Sequence, residues 1–519
     1  MGKVQRPRLR RGRGPKKQGV KADLSVEFWG GFLYPTKAKR KREGSENVLS
    51  GGFFMRILLV FTEINQKFGA LQSQHGLASI SAVLKQHGFR DIALSYFDES
   101  LDLEKWEGDL KRFQPDLIGF YSTAEQFHYV KTLIERVPRP VFTLCGGPHP
   151  TCYPQCLESI PRLDAICVGE GEYPMLELAE ALERDRDYTR IQNLWIRRNG
   201  EILRNPTRSF IADLDSLPYE DRELFDTQAA IDRYGFSQLR IMASRGCPFS
   251  CTYCSNKRTS QTQPGRYVRF RSADHLLGEI IEAQKRYRFN EIFFDDDIFM
   301  MNREIVAEFC ARYPREVGKP FVFCGRVEAC HKDILTMLKE AGGRRIDFGL
   351  ESGHEELRRS IMKRKMTNRQ ILEATRLARE VGLQVKTLNM VGLPEETPEK
   401  FRETVKINRE INPDVVSISI FYPYPGTELY DYCREKGYLD PQESLPENYV
   451  SRRESLLRLP GFSKKQIGRC FRWFGFWVYW RHSLIKAVGY KLIYSKRGEF
   501  FLEVSKKFRK VLRRILKGF

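Results

Sequence analysis

The residues best suited to chemistry in this 519-residue chain are three cysteines within eight positions. Cys247, Cys251 and Cys254 are spaced Cys-x3-Cys-x2-Cys, directly after a segment that the sequence predicts to be a buried strand. Three thiolates on one short loop can bind three irons of a cubane iron–sulfur cluster and leave the fourth iron open for a substrate. A mononuclear zinc site would normally supply four ligands in two separated pairs, and a fourth local Cys or His is missing. The spacing therefore favours a [4Fe–4S] cluster over structural zinc or chance.

The charge distribution argues against a nucleic-acid partner. The chain carries a formal net charge of +21, but residues 1–50 contribute +10 and residues 451–519 contribute +16, which leaves residues 51–450 at −5. A nucleic-acid reader would more often carry a basic face on its folded body. Twelve cysteines are too few for this length to suggest a disulfide scaffold, and three of them within eight residues point, in a reducing compartment, to metal rather than to bridges. With no secretory signal and no run of ~20 apolar residues, the sequence predicts a cytoplasmic enzyme.

The elements that must position the cysteines form a strand–helix alternation over residues 238–440. Six units of this kind in one domain predict a partial (β/α)6 barrel, with chemistry gathered at the carboxyl ends of its strands. The predicted strands are Gln238–Ala243, Glu291–Asp295, Phe321–Gly325, Arg345–Leu350, Val385–Met390 and Val415–Tyr422.

A second alternation precedes the barrel, over residues 55–183. Short apolar strands separated by amphipathic helices predict a doubly wound parallel sheet of the Rossmann-like or flavodoxin-like kind, which binds ligands at the carboxyl ends of its strands. The predicted strands are 56–61, Leu117–Tyr121, Val141–Cys145 and Asp164–Val168, and the predicted helices are Leu77–Gln86 and Gln126–Val137.

Three further segments complete the predicted organisation. Residues 1–54 are rich in Lys, Arg and Gly and are predicted to be a disordered basic extension, unless translation begins at Met55. Residues 184–237 show no regular spacing of apolar residues and are expected to be a linker. Residues 441–519 are predicted to be helical, basic and aromatic, with Phe471–Trp480 as the aromatic part. This region would either lie in a membrane interface or cap the barrel with a solvated basic face.

The segment Ser244–Cys254 resembles the signature of the radical S-adenosylmethionine superfamily, including the aromatic residue, Tyr253, before the last cysteine. The resemblance implies that the open iron binds S-adenosylmethionine through its amino and carboxylate groups. One electron from the cluster would then cleave that cofactor to methionine and a 5′-deoxyadenosyl radical, which abstracts hydrogen from an unactivated C–H bond. The protein would supply binding, orientation and exclusion of water.

The same resemblance extends to other strand ends and implies a set of S-adenosylmethionine contacts. The residues so assigned are Tyr253, Asp296, Asp297, Glu351, Ser352, Arg364 and Gly392. Each also has a simpler interpretation. Asp296 and Asp297 could cap the next helix, Glu351 could be a buried partner for Arg326, and the Gly-Pro turns could be only turns. Their placement after successive strands of one barrel favours the functional interpretation.

The first domain resembles the cobalamin-binding module fused ahead of many radical S-adenosylmethionine enzymes. Small residues at its turns would let the backbone approach the corrin. The implied cobalamin contacts are His75, Gly76, Ser122, Thr123, Gly146, Gly147, Gly169 and Glu170. The chain departs from the Asp-x-His-x-x-Gly motif of methionine-synthase-like domains, which makes His75 and His149 poor candidates for a cobalt ligand. Either the domain binds cobalamin without a protein histidine, or it has kept the fold and lost the cofactor.

Cys145, Cys152, Cys156 and Cys167 fall in the same first domain. They could form a second cluster, but no compact motif supports one, and buried free thiols are the favoured interpretation.

These resemblances favour a cobalamin-dependent radical methyltransferase that acts on an unactivated carbon of a small-molecule or lipid substrate. Its expected cofactors are the [4Fe–4S] cluster, S-adenosylmethionine and cobalamin, and its expected reductant is a flavodoxin or ferredoxin. The alternative within the same class is a radical oxidoreductase, cyclase or carbon–carbon coupling enzyme. Methylthiolation is disfavoured, since those enzymes carry three additional N-terminal cysteines. A non-catalytic cobalamin or redox sensor would tolerate replacement of all three cluster cysteines by alanine. An enzyme would not tolerate that replacement. Its C-terminal region is expected to make peripheral contact with the inner face of a membrane.

Overall fold

The structure, a computed structural model, describes residues 54–64, 74–98, 100–233, 237–439 and 453–495. All of these residues fall in one unit that begins at Lys39. The predicted basic extension therefore lies outside the described residues, except for Phe54. Among the described helices, none combines the length and the apolar character that crossing a bilayer requires.

A parallel sheet forms the first domain, because short apolar strands alternate with helices that cover both of its faces. The spatial order of its strands is β2-β1-β3-β4-β5, followed by the antiparallel pair β6-β7. The strands are β1 (Ile57–Thr62), β2 (Ile92–Phe97), β3 (Leu117–Tyr121), β4 (Phe142–Gly146), β5 (Ala165–Cys167), β6 (Leu194–Arg198) and β7 (Glu201–Arg204). The helices are α1 (His75–Gln86), α2 (Leu103–Phe113), α3 (Phe127–Ile134), α4 (Pro148–Cys152) and α5 (Glu172–Glu183).

The sheet continues past residue 183 into the segment that was expected to be a linker. Strand β6 pairs antiparallel with β5, and β7 pairs with β6 across a turn at Asn199 and Gly200. Both turn residues have positive φ, of 53° and 84°, which is the backbone of the tight hairpin turn favoured by Asn-Gly. Leu194 and Ile196 are fully buried in the first-domain core, so this part of the linker belongs structurally to the sheet.

The second domain is the predicted partial barrel. Its six parallel strands follow the chain in order, β8-β11-β12-β13-β14-β15, and the sheet stays open between β8 and β15. The strands and a small accessory pair are β8 (Gln238–Ile241), β9 (Ser244–Arg245), β10 (Arg269–Phe270), β11 (Glu291–Phe294), β12 (Phe321–Gly325), β13 (Gly343–Glu351), β14 (Gln384–Val391) and β15 (Val415–Ile420). The helices are α6 (Thr227–Arg233), α7 (Ser255–Thr259), α8 (Ala273–Arg286), α9 (Arg303–Glu316), α10 (Lys332–Glu340), α11 (Asn368–Glu380), α12 (Pro398–Ile411) and α13 (Glu428–Glu435).

Two further helices, α14 (Lys464–Tyr479) and α15 (Leu484–Ile493), follow the barrel. The Tyr479 hydroxyl donates to the Pro413 carbonyl at 2.8 Å, and the backbone N–H of Val416 donates to the Tyr490 hydroxyl at 3.0 Å. Helices α14 and α15 therefore pack against the barrel beside the start of β15. The predicted basic segment Lys506–Lys517 lies outside the described residues.

Candidate functional site: the cysteine loop and the cavity beside it

The loop that carries the three cysteines begins at a glycine that no other residue could replace without strain. Gly246 has a φ of +91°, and a Cβ added there would stand 2.5 Å from the carbonyl oxygen of Tyr267. Only glycine adopts this backbone freely and tolerates so close an approach. The residue before Cys247 thus turns the chain from β9 into the loop.

The rest of the loop is tied to the segment after β13 and to the start of α13. The Thr252 hydroxyl donates to the Ile361 carbonyl at 2.6 Å, and the Leu429 N–H donates to the Thr252 carbonyl at 3.0 Å. Cys251 is buried, while Cys247 and Cys254 are half-buried. The backbone around the thiols is therefore fixed from both sides of the barrel.

Two arginines from neighbouring strand ends lie against the Cys251 sulfur. The Nη1 atom of Arg326, just after β12, is 3.5 Å from Sγ, and that of Arg364 is 3.9 Å away. Arg326 stacks on Phe249 at 3.5 Å and pairs with Glu328 at 3.1 Å. These cations would stabilise a thiolate or an anionic cluster. The sequence analysis considers Arg326 only as a partner of Glu351. Its position directly after a barrel strand was sufficient to identify it as a candidate site residue.

The chemistry of the donor set fits an iron–sulfur cluster. Burial raises the pKa of Cys247 to about 11 and that of Cys254 to about 12, so a bound metal is needed to hold them as thiolates near neutral pH. Within the described ranges, no three His, Cys, Asp or Glu side chains lie close enough together to hold a single metal ion. A cubane requires one thiolate on each of three irons, which the three cysteines of this loop can supply.

Three consecutive carboxylates follow β11, and each faces a different part of the molecule. Asp295 accepts from Arg240 and His75. Asp296 is buried and accepts from the Ala243 N–H at 3.1 Å and from the Ser244 hydroxyl, while burial raises its pKa to about 6. Asp297 remains accessible to water.

The capping alternative for these aspartates is wrong, because Asn302 caps α9 with its own side chain. Asp296 instead holds the start of the cysteine loop. Asp297, which stays accessible, is the better placed of the two to meet a cationic amine.

Three other residues assigned to S-adenosylmethionine, Tyr253, Glu351 and Arg364, lie close to one another near the Cys251 sulfur. The Arg364 Nη1 donates to the Tyr253 hydroxyl at 3.1 Å, and Arg364 also donates to the Gly349 carbonyl. Glu351, with a φ of +68°, adds a carboxylate whose charge acts on both Arg364 and Tyr253. These residues thus form one connected group beside Cys251.

Ser352 and Gly392 are placed differently from that group. Ser352 is fully buried, and its hydroxyl accepts from the His354 N–H at 3.3 Å. The Gly392 N–H donates to Glu396 at 2.6 Å, and burial raises the pKa of Glu396 to about 8. Both residues are engaged in local turns of their own strand ends, and their role as cofactor contacts stays a prediction.

A cavity of about 560 Å³ separates the carboxyl ends of the first sheet from the cysteine loop. Its apolar wall comes from the first domain, and its polar wall includes Asn256, Tyr267 and Arg269 of the barrel domain. Seven glycines line it, which are Gly76, Gly119, Gly146, Gly147, Gly169, Gly171 and Gly246. Because glycines let the backbone itself form the wall, this lining suits a large planar ligand such as a corrin.

Six of the eight residues assigned to cobalamin line this cavity and two do not. The lining residues are His75, Gly76, Gly146, Gly147, Gly169 and Glu170. Ser122 is fully buried, and its hydroxyl donates to the Thr123 carbonyl at 2.9 Å. Ser122 and Thr123 support the turn after β3 from behind, where Gly147 packs against the Ser122 carbonyl.

His75 is held by carboxylates on both ring nitrogens. Nδ1 is 2.7 Å from Glu220, and Nε2 is 3.0 Å from Asp295. Two such contacts require both nitrogens to carry protons, that is, an imidazolium. Burial by itself would lower the pKa of His75, but the two carboxylates more than offset it and raise the pKa to about 10. His75 therefore has no nitrogen to offer to cobalt.

Ion pairs between the domains complete the cavity wall, and no local sequence pattern indicates them. Arg245, inside the cysteine motif, donates to Glu170 at 2.9 Å and to Glu172 at 2.6 Å. Arg269 donates to the other oxygen of Glu170 at 2.9 Å. Glu170 was assigned to cobalamin, and the structure commits both of its oxygens to these pairs.

His149, Cys145, Cys152 and Cys156 do not line the cavity, whereas Cys167 does. Burial lowers the pKa of His149 to about 4, and its ring packs 4.3 Å from that of Phe127. Cys145, Cys152, Cys156 and Cys167 are all buried free thiols.

Comparison with known families assigns both domains. Residues 241–407 match the radical SAM superfamily, and residues 64–179 match the B12 binding domain family. The chain is thus a radical SAM enzyme with an N-terminal B12-binding domain, as the sequence motifs predicted. The [4Fe–4S] cluster, S-adenosylmethionine and cobalamin are the cofactors of this class.

Individual relatives share this architecture over most of the chain. An uncharacterized methyltransferase of Pyrococcus horikoshii is 28% identical over 431 residues, which are 80% of this chain and 91% of that protein. The anaerobic magnesium-protoporphyrin IX monomethyl ester cyclase of Rubrivivax gelatinosus is 26% identical over 69% of this chain and 66% of its own length.

A solved structure has the same fold. The radical S-adenosylmethionine methyltransferase TsrM of Kitasatospora setae, with cobalamin and a [4Fe–4S] cluster bound, superposes with a TM-score of 0.58 at 17% identity. The match covers 74% of this chain and 78% of TsrM. The predicted fold class, a parallel-sheet domain ahead of a radical SAM partial barrel, is confirmed.

Proposed function

We propose that this chain is a cobalamin-dependent methyltransferase that acts on an unactivated carbon of a small-molecule or lipid substrate. The observation that carries the proposal is the glycine-lined cavity. It lies between the carboxyl ends of the first sheet and the loop of Cys247, Cys251 and Cys254. Cobalamin bound there would face the cysteine loop, so a substrate between the two would meet both cofactors. The relatives named as methyltransferases support the same assignment.

The chain's own residues would bind and orient the reactants. When bound, the cluster and S-adenosylmethionine supply a hydrogen-abstracting radical, and cobalamin supplies a transferable methyl group. Arg326 and Arg364 would hold negative charge at the Cys251 sulfur, and Asp297 would receive the amine of S-adenosylmethionine. Leu59, Leu144 and other apolar side chains would keep water out of the cavity.

The proposal is tested on anaerobically reconstituted protein supplied with cobalamin and methyl-labelled S-adenosylmethionine. We expect about four irons and about one cobalt per chain, with label recovered on the corrin. Cobalt without label transfer would instead favour the cyclase or oxidoreductase alternative. Iron without cobalt would overturn the assignment of cobalamin.

A matched pair of variants tests whether the cavity is the cobalamin site. Gly146→Val adds a side chain to the cavity wall, where a Cβ would have only Cys167 nearby, at 3.8 Å. Gly108→Val adds the same side chain on the exposed face of α2, with nothing within 4 Å. We expect the first variant to keep its iron and lose cobalt, and the second to keep both. Equal cobalt in the two variants would place cobalamin elsewhere.

We also propose two partners for this enzyme, an electron donor and a membrane surface. The one-electron donor would be a flavodoxin or ferredoxin, because the chemistry of this class begins with reduction of the cluster. The chain would work in the cytoplasm and touch the inner face of a membrane through its C-terminal helices, which would give it access to a lipid substrate.

A further inference from the structure

Helix α15 has one packed side and one apolar side that faces solvent. Ala487 is fully buried, and the Tyr490 ring stacks on Tyr479 of α14 at 5.1 Å. On the other side, four aliphatic side chains stand out from the surface. They are Leu484, Ile485, Val488 and Leu492, with exposed fractions of 66%, 88%, 48% and 36%. Ile485, Val488 and Leu492 follow Leu484 by one, four and eight residues, so all four lie on one side of the helix. We call them the α15 apolar strip.

The surroundings of the strip are cationic. Between residues 464 and 495 the chain has seven basic residues and no Asp or Glu. The basic residues are Lys464, Lys465, Arg469, Arg472, Arg481, Lys486 and Lys491. All are exposed except Lys491, which is half-buried. Trp480 is 40% exposed and lies 5.0 Å from the Arg481 guanidinium.

We propose that the α15 apolar strip is a docking surface for an anionic lipid bilayer. Aliphatic side chains flanked by Lys and Arg, with a tryptophan at the edge, match the boundary between acyl chains and acidic headgroups. Helix α15 has only ten residues, so it would lie in the plane of the membrane rather than cross it.

Charge complementarity selects this occupant over a protein. A protein interface normally surrounds its apolar centre with a polar rim in which Lys is depleted, whereas every charged side chain of α14 and α15 is a Lys or an Arg. A single-sign cationic rim needs an extended anionic surface, which acidic lipid headgroups provide. The inference deepens the membrane contact of the proposed function and does not depend on methyl transfer, because binding is measured without turnover.

The test is co-sedimentation of the full-length holoenzyme with vesicles of phosphatidylcholine alone or mixed with phosphatidylglycerol. The wild type should sediment with the mixed vesicles, and added salt should weaken that binding. Ile485→Ser combined with Val488→Ser should lower the partition coefficient about tenfold or more, because two aliphatic side chains that the bilayer would bury are lost. Phe54→Ser, which alters a side chain 73% exposed on the first domain, is the matched control and should bind as the wild type does.

Iron content and circular dichroism of the variants should match the wild type, since every altered side chain is exposed. Failure of the wild type to bind anionic vesicles would overturn the proposal, as would equal binding by the double variant. Loss of thermal stability in the double variant without vesicle binding would show that a protein segment, such as residues 496–519, covers the strip instead.

Discussion

At the scale of single residues, Gly246 makes the strictest demand on the cysteine loop. Gly246→Ala would combine a φ of +91° with a Cβ only 2.5 Å from the Tyr267 carbonyl. Strain of this kind costs about 1–3 kcal/mol, and we expect it to move Cys247 and lower the iron bound per chain. Gly200→Ala is the control, since its φ is +84° but nothing lies within 4 Å. Full iron content in Gly246→Ala would show that the loop adapts.

The two arginines at Cys251 act by charge rather than by shape. Removing a positive charge 3.5 Å from the sulfur disfavours addition of an electron to the cluster. Arg326→Met should therefore make the reduction potential of the cluster about 60 mV more negative, equivalent to roughly 1.4 kcal/mol. Potentiometric titration followed by electron paramagnetic resonance measures this shift.

The control for that titration is Arg376→Met, because Arg376 lies on the exposed face of α11, paired with Glu373. It should leave the potential unchanged. An unshifted potential in Arg326→Met would show that Glu328, its partner at 3.1 Å, already cancels its charge at the cluster.

At the scale of elements, the apolar period was enough to place the six barrel strands and four of the strands of the first sheet. Strand β2 was missed although five of the six residues of Ile92–Phe97 are apolar or aromatic, and three of its six positions are half-buried. The β6–β7 hairpin was missed although Asn199-Gly200 is a strong hairpin turn signal.

The contacts of the site could be predicted only in part. The rule that functional residues follow barrel strands selected Cys247, Asp297 and Arg364. It could not reveal that Asp296 supports the loop or that Arg245 pairs with Glu170 and Glu172. Such contacts join residues more than 50 positions apart and depend on how two domains meet, which no local pattern records.

Packing between α14 and α15 depends on another glycine. A Cβ on Gly475 would stand 2.6 Å from the Cβ of Tyr490, whereas a Cβ on Gly489 would meet nothing within 4 Å. Both positions lie inside helices, where alanine is about 1 kcal/mol better than glycine. Gly489→Ala should thus raise the free energy of unfolding, and Gly475→Ala should lower it by about 1–3 kcal/mol. Denaturant midpoints measure both, and parallel changes would mean that α15 shifts freely.

At the scale of the whole molecule, buried ions join the two domains around the cavity. His75 begins α1 of the first domain, Glu220 lies in the segment between the domains, and Asp295 ends a barrel strand. Glu220 and Asp295 also pair with Arg222 and Arg240, respectively. These pairs form one continuous network of ions. His75, Glu220 and Asp295 all line the cavity, so the network forms part of its wall.

The protonated state of His75 makes that network dependent on pH. Its pKa is raised from 6.5 to about 10 in the folded protein, so the stabilisation is complete below pH 6.5 and is lost as the pH rises through about 10. His75→Gln leaves two buried carboxylates without their shared cation and should cost about 3 kcal/mol at pH 7. The difference between this variant and the wild type should shrink toward pH 10, because the wild type then loses its own proton. Urea midpoints across this range measure the difference.

His87→Gln, at the exposed end of the same helix, is the control and should cost little stability at any pH. A His75→Gln deficit that does not change with pH would mean that the ring acts by packing rather than by charge.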